Sequence, residues 1–219
     1  MGRVYKVSDT SIRLLLDELI TSSNSDEYRD TFYNIGKKLG EVLKDKLTGA
    51  STPIALACTS EDADWLAKGI IDTLDTKVDL CVYWSERLKF GKDQDGNPLE
   101  YSDIVKSYEE IEGESKTLII TKSIISSSCV VRSQIMRLVS KYKFEKIYIV
   151  APVMYKDAEP NLRQEFPENI CNLFEFISFA IDNDLDDKGW VSPGIGGSVY
   201  VNLDVDPRLY YPNILNTRV

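Results

Sequence analysis

Thr117-Leu118-Ile119-Ile120-Thr121-Lys122-Ser123-Ile124-Ile125-Ser126-Ser127-Ser128-Cys129-Val130 reads as an apolar strand, a turn crowded with hydroxyls, and the start of a helix. Val130, Ile135, Leu138 and Val139 continue at helical spacing. Small hydroxyl residues at a strand-to-helix turn offer backbone N–H groups and side-chain donors to an anion, and the helix dipole adds to them. The plainer alternative is that Ser126, Ser127 or Ser128 caps the helix.

Around this unit, whose own apolar run is Thr117–Thr121, short apolar runs recur at Pro53–Cys58, Val78–Trp84, Glu145–Ala151 and Phe174–Ala180, and residues 61–74 and 128–142 suit helices between them. Such alternation predicts an α/β fold, a parallel sheet covered by helices. Ser8 or Asp9 caps a first helix carrying Ile12, Leu15, Leu16, Leu19 and Ile20. A second starts near Asp26, with Tyr28, Phe32, Ile35, Leu39, Val42 and Leu43 on one face and Gly49 past its end. Two helices thus precede any strand. Residues 1–50 form a helical extension packed on an α/β domain at 51–219, one globular unit in all. Within Glu86–Ser102, Asp95-Gly96-Asn97-Pro98 signals a hairpin projecting beside the sheet. Ligands of open α/β sheets bind beyond the carboxyl ends of the strands, which singles out the loops Thr59–Asp64, Lys122–Cys129 and Asp182–Gly197.

Composition narrows the chemistry. The 219 residues are 43% hydrophobic and 28% charged, enough for a proper core. With 26 basic against 35 acidic residues, the net charge of -9 opposes general nucleic-acid binding. Histidine is absent, so imidazole bases, Ser/Cys-His nucleophile pairs and His-containing metal sites are excluded. Cys58, Cys81, Cys129 and Cys171 are too scattered for a zinc knuckle or redox pair and read as reduced thiols. Cys129, at the turn-to-helix junction, reads as a packed thiol more readily than a reactive one. The first residues lack an apolar signal region and no run has membrane-span length, so the expectation is a cytoplasmic protein without a membrane partner.

The segment Asp182-Asn183-Asp184-Leu185-Asp186-Asp187-Lys188-Gly189-Trp190-Val191-Ser192-Pro193-Gly194-Ile195-Gly196-Gly197 follows the last predicted strand. Its alternating aspartates suggest a calcium loop, but the required turn glycine and bidentate glutamate are replaced by Asp187 and Pro193, and no metal is expected. A solvated acidic loop is a further alternative. Gly194, Gly196 and Gly197 admit backbone conformations closed to other residues, so main chain here is fit to meet a flat ligand.

A strand, hydroxyl-rich turn and helix followed by Leu185–Gly196 resemble the type I phosphoribosyltransferases, the uracil branch in particular. In that branch a Leu-polar-acidic-Lys-Gly-aromatic-aliphatic-x-Pro-Gly-aliphatic-Gly run supplies the base-binding backbone, and Leu185–Gly196 is similar nearly position for position. The looser resemblance spans Pro53–Leu203, with Ile147–Pro152 like the strand before the family's later loop. It implies a phosphoribosyltransferase-like parallel sheet with flanking helices, the N-terminal helical pair and a small hairpin or hood. It also implies a ligand site at Lys122, Ser126, Ser127, Ser128, Trp190, Pro193, Gly194, Ile195, Gly196 and Gly197.

Departures from the family bear on activity. Where the family places carboxylates for the ribose and a Thr-Gly pair for the phosphate, this chain has Thr121-Lys122 and Ser126-Ser127; an ammonium only donates, and serine adds a side chain where backbone should approach. Gly196-Gly197-Ser198-Val199-Tyr200 replaces an acidic continuation, and Cys58–Asp64 lacks the family's Arg-Ala-Gly. Glu61, Asp62 and Asp64 offer substitute carboxylates but read more simply as surface acids of a first helical turn. The resemblance therefore implies a phosphoribosyltransferase-like protein with lost or weak transferase activity that binds a nucleobase or nucleotide for sensing or within a complex. No cofactor is certain, Mg²⁺ being implied only with a bound diphosphate sugar. The alternatives are an active transferase using Asp184 or Asp187 with Lys122 or Lys188, and an interaction module whose helices and tail tyrosines Tyr200, Tyr210 and Tyr211 meet a partner protein or form a homo-oligomer. Trp65 and Trp84 read as packing residues, whereas Trp190 has an even claim to touch ligand.

Overall fold

The computed structural model describes residues 2–48, 53–92, 98–113 and 115–218. A seven-stranded path, in the order β1-β8-β7-β5-β2-β3-β4, forms the sheet. The inner strands β3 (Val78–Lys92), β2 (Ile54–Thr59), β5 (Thr117–Thr121), β7 (Lys146–Tyr155) and β8 (Phe174–Asp182) run parallel. The edges β1 (Arg3–Tyr5) and β4 (Pro98–Glu109) are antiparallel to their neighbours, and the two-residue strand β6 (Ile124–Ile125) adds to the upper part of β7.

Every residue of β2 is buried, as a central parallel strand covered on both faces requires. Its pleat divides the core. Ile54, Leu56 and Cys58 pack with helices α1 (Thr10–Thr21) and α2 (Ser25–Lys46), whereas Ala55 and Ala57 face α5 (Cys129–Val139) and α6 (Ala158–Gln164). The first face is closed further by α3 (Ser60–Asp62), a π-helical turn (Ala63–Ala67) and α4 (Lys68–Thr73). α2 and α4 touch backbone to backbone, since a Cβ on Gly69 would lie 2.3 Å from the Tyr33 carbonyl oxygen.

Local chemistry explains the boundaries. The Asp9 carboxylate accepts from Ser11 N–H and starts α1, and Asn24 accepts from Glu27 N–H to start α2. α2 carries Asp26 and Glu27 in its first turn and Lys44 and Lys46 in its last, complementing its dipole. One expectation needs correction. A strand, β1, precedes the helices: three residues are too short for periodicity to reveal, and Arg3 anchors them through Asp182. The expected hairpin is present: β2 pairs with β3 only as far as Tyr83, and beyond it the arms of β3 and β4 pair only with each other out to Lys92 and Pro98, continuous with the sheet edge; Asp95, Gly96 and Asn97 lie outside the described residues, as does Gly49. α7 (Glu168–Cys171), the short hairpin β9 (Asp184–Leu185) and β10 (Val191–Ser192), and α8 (Val199–Asn202) complete the elements used below.

Candidate functional site

A cavity of about 600 Å³ opens beyond the carboxyl ends of β2 and β5, alongside Ser85–Arg87 of β3. Thr59 and Glu61 border it from the β2 loop, Lys122, Ser123, Ile124 and Ser126 from the β5 turn, and Trp190, Ile195, Gly197 and Tyr200 from the late segment. Arg87 on β3 and Arg208 in the tail stand at its exposed side. The three loops expected from strand direction therefore meet in one place.

The innermost chemistry is an ion cluster. Lys122 Nζ donates to Asp62 Oδ2 at 2.8 Å, Ser123 Oγ at 2.9 Å and Glu61 Oε1 at 3.1 Å, which engages all three ammonium protons. Asp62, wholly buried, also accepts from Thr59 Oγ1 at 2.6 Å and Ser123 N–H at 3.2 Å. Burial alone would lower the Lys122 pKa, but the charges of Asp62 and Glu61 outweigh it and hold the ammonium well above its ordinary range. For Glu61 burial pushes the carboxyl up, and the Lys122 charge more than offsets it, leaving the group lowered. Asp62 is raised by its complete burial, with the Glu61 charge adding to the effect. Tyr200 is raised as well, first by burial and then by the Glu61 charge.

The turn itself is occupied with its own fold. Ile124 and Ile125 pair with Val153 and Met154, so part of its backbone belongs to the sheet. Ser128 holds the N-cap position of α5 without a side-chain capping bond, and its hydroxyl donates instead to Glu165, a carboxylate that also pairs with Arg132 at 2.8 Å. Ser127 Oγ is buried without a hydrogen-bond partner.

The late segment is shaped by buried anchors. Asp182 accepts Arg3 Nε and Nη2, each at 2.9 Å, and Gly194 N–H at 2.8 Å; Arg3 Nη2 also donates to the Gly194 carbonyl. Asp186 Oδ1 accepts the N–H groups of Lys188 and Trp190 and closes the β9–β10 hairpin. From the helical side, Tyr28 Oη donates to the Ile195 carbonyl at 3.0 Å and Asn202 to the Gly196 carbonyl at 3.0 Å. Gly196, at φ +82°, sits so close to α1 that a Cβ would fall 2.6 Å from the Leu19 carbonyl oxygen.

Of the residues expected at the site, Lys122, Ser126, Trp190, Ile195 and Gly197 border the cavity. Ser127, Ser128, Pro193, Gly194 and Gly196 stand outside its lining: Gly194 and Gly196 pack on the protein's own backbone, and Ser128 turns to Glu165. Lys122 is not a free phosphate ligand, because two carboxylates already hold it. Asp184, Asp187 and Lys188, considered for an active transferase, are exposed and outside the lining. Glu61, Asp62 and Asp64 are buried rather than surface acids, at 5%, 0% and 9% exposure. Asp64 captures the tail by accepting Asn213 and Ile214 N–H, each at 2.7 Å, and the Tyr210 hydroxyl. Tyr210 stacks on Trp65 and Tyr211 on Trp84, so these rings pack within the chain. Glu61, weighed from sequence as a substitute carboxylate but read more simply as a surface acid, and Tyr200, read as an interface tyrosine, both line the cavity, as do Arg87 and Arg208, which no sequence signal singles out.

No protein-family model matches the sequence, and no curated protein does. Among solved structures, the AQ2163 protein from Aquifex aeolicus is 13% identical and superposes with a TM-score of 0.65 over 90% of this chain and 95% of that one. The likeness is one of fold. A hypothetical protein from Neisseria gonorrhoeae with bound ppGpp is 13% identical, at a TM-score of 0.46 over 79% of this chain and 92% of that one. An adenine phosphoribosyltransferase from Thermoanaerobacter pseudethanolicus is 12% identical, at 0.40 over 68% and 80%. Among the described residues, no helix is long and apolar enough to cross a membrane, and no group of three His, Cys, Asp or Glu is arranged for a metal ion.

Proposed function

We propose that this chain is a phosphoribosyltransferase-like protein of the uracil-branch type, with lost or weak transferase activity, that binds a nucleobase or nucleotide in a sensing or complex-forming role. One observation carries the reading. The β5 turn and the Trp190–Tyr200 segment wall the same cavity, yet the turn's lysine is neutralised by Glu61 and Asp62. A cradle for a flat ring survives in Trp190, Ile195 and Gly197, while the cationic and carboxylate groups that would activate a ribosyl donor are bound to one another. The Lys122 ammonium already neutralises Glu61 and Asp62, and in this reading Mg²⁺ enters only as the companion of a bound diphosphate sugar.

Titration calorimetry against uracil, UMP, the diphosphate sugar and ppGpp tests the binding half; silence from all four sinks it. Radiolabelled uracil incubated with the diphosphate sugar and Mg²⁺ tests the activity half. Nucleotide formation at ordinary enzyme rates, about 1–10³ per second, would overturn the claim of lost or weak transfer.

A further inference from the structure

The cavity is polarised between its depth and its mouth. Glu61 lies at the buried end, 5% exposed, whereas Arg87 and Arg208, from β3 and the tail, are exposed where it opens. Resting on the nucleotide-binding reading above, we propose that a nucleoside phosphate enters sugar-first, its hydroxyls on the Glu61 carboxylate, its base against Trp190 and its phosphate at Arg87 and Arg208.

The β5 turn is poorly equipped for phosphate. Its ammonium is spent on Asp62, Glu61 and Ser123. Its isoleucines pair with β7, and the Ser128 hydroxyl is turned to a carboxylate. A phosphate brought to Lys122 would face two carboxyl groups for one ammonium. Sugar hydroxyls suit that end, because a carboxylate has about four acceptor positions and Glu61, which accepts from Lys122 and more distantly from the Ser60 hydroxyl with Tyr200 beside it, keeps room for a further donor. At the mouth, a guanidinium offers a planar fork of donors that matches phosphate oxygens, and two arginines from separate segments line the same cavity. Ser85 Oγ, buried without a hydrogen-bond partner, belongs to the same lining two residues from Arg87 on β3. Trp190, 47% exposed, lines the same cavity beside Gly197.

Calorimetry of the full chain with AMP, GMP, CMP and UMP provides the test, using the wild type, the pair Arg87→Ala with Arg208→Ala, the pair Arg87→Lys with Arg208→Lys, and Ser126→Ala. Both arginines are exposed, so these variants retain the fold. The alanine pair should weaken the best nucleotide at least about tenfold, the weight of one charge-assisted hydrogen bond; the lysine pair should recover part of the loss, and Ser126→Ala should change little. The 2′-deoxy form of that nucleotide should bind the wild type about tenfold more weakly, the scale expected when a buried acceptor loses its donor. Unchanged affinity in the alanine pair with a loss in Ser126→Ala returns the phosphate to the β5 turn and overturns the proposal. Equal binding of the 2′-deoxy form removes Glu61 from the sugar. If the wild type binds none of the four, the nucleotide-binding reading falls and this orientation with it.

Discussion

Replacing Lys122 with methionine removes one ammonium from between two buried carboxyl groups. Lys122 is 12% exposed at its side chain, Glu61 7% and Asp62 0%, so solvent compensates little of the loss. Breaking a buried ion pair by deleting one partner costs about 3–5 kcal/mol. With a urea m-value of about 3 kcal/mol/M, the midpoint should fall by roughly 1–2 M. The pH profile carries a second signature. The folded Glu61 carboxyl titrates below its ordinary 4.5, so its contribution is fully present above that value and disappears as pH falls through the lowered one. Lys122, held above its ordinary 10.5, contributes below that value and loses its contribution only at higher pH. In Lys122→Met burial is no longer offset by the ammonium and pushes both carboxyls up, so the variant should regain stability relative to wild type on acidification, starting above the ordinary carboxyl value of 4.5, as the unpaired acids take up protons. Adding Glu61→Gln and Asp62→Asn to Lys122→Met should recover much of the midpoint at neutral pH, because no isolated buried charge remains. A Lys122→Met midpoint within about 0.3 M of wild type, with an unchanged acid limb, would refute the claim that this cluster is a dehydrated ion triad.

Other perturbations separate the anchors of the late segment. Gly196→Ala meets both a positive φ of +82° and a backbone oxygen 2.6 Å from the new Cβ; a loss of about 1–3 kcal/mol in thermal or urea unfolding is expected. Asp182→Asn withdraws a carboxylate of 0% exposure from Arg3 and Gly194 and should cost about 3–5 kcal/mol, with faster amide exchange across residues 184–197 as the local readout. Tyr28→Phe deletes only the hydroxyl that meets the Ile195 carbonyl and should cost about 0.5–1.5 kcal/mol, read as a small drop in urea midpoint without loss of cooperativity.

The inner sheet was legible because its strands are buried on both faces and so appear as unbroken apolar runs. Thr117–Thr121 was read with the bounds observed, and Phe174–Ala180 fell two residues short of β8. What escaped was held by distant partners. β1 is three residues whose place depends on Arg3 reaching Asp182, 179 positions away. The length of β3 depends on pairing with β4, which lets charged and polar residues such as Glu86 and Arg87 continue a strand that hydropathy ends near Trp84. Nothing in the sequence marks Gly36 and Gly69 as contact points, and only the packing of α2 against the π-helical turn and α4 shows why neither has room for a side chain.

The site divides along the same line. Its loops were found from strand direction alone, because the carboxyl ends of parallel strands share one edge of the sheet whatever the side chains do. Side-chain roles were not recoverable that way. Glu61 and Asp62 carry the sequence signature of exposed acids in a first helical turn, a pattern that complements a helix dipole equally well in water. Their burial follows from Lys122, 61 and 60 residues away, whose departure from an acidic position looked like a loss confined to one loop. In space the two loops are complementary: the β5 turn carries a cation, the β2 loop carries the carboxylates, and the two meet at hydrogen-bond distance. An acceptor-rich surface lies at Glu61 and exposed arginines, Arg87 and Arg208, line the same cavity, and that separation of charge makes the orientation of a bound nucleotide an experimental question distinct from whether one binds.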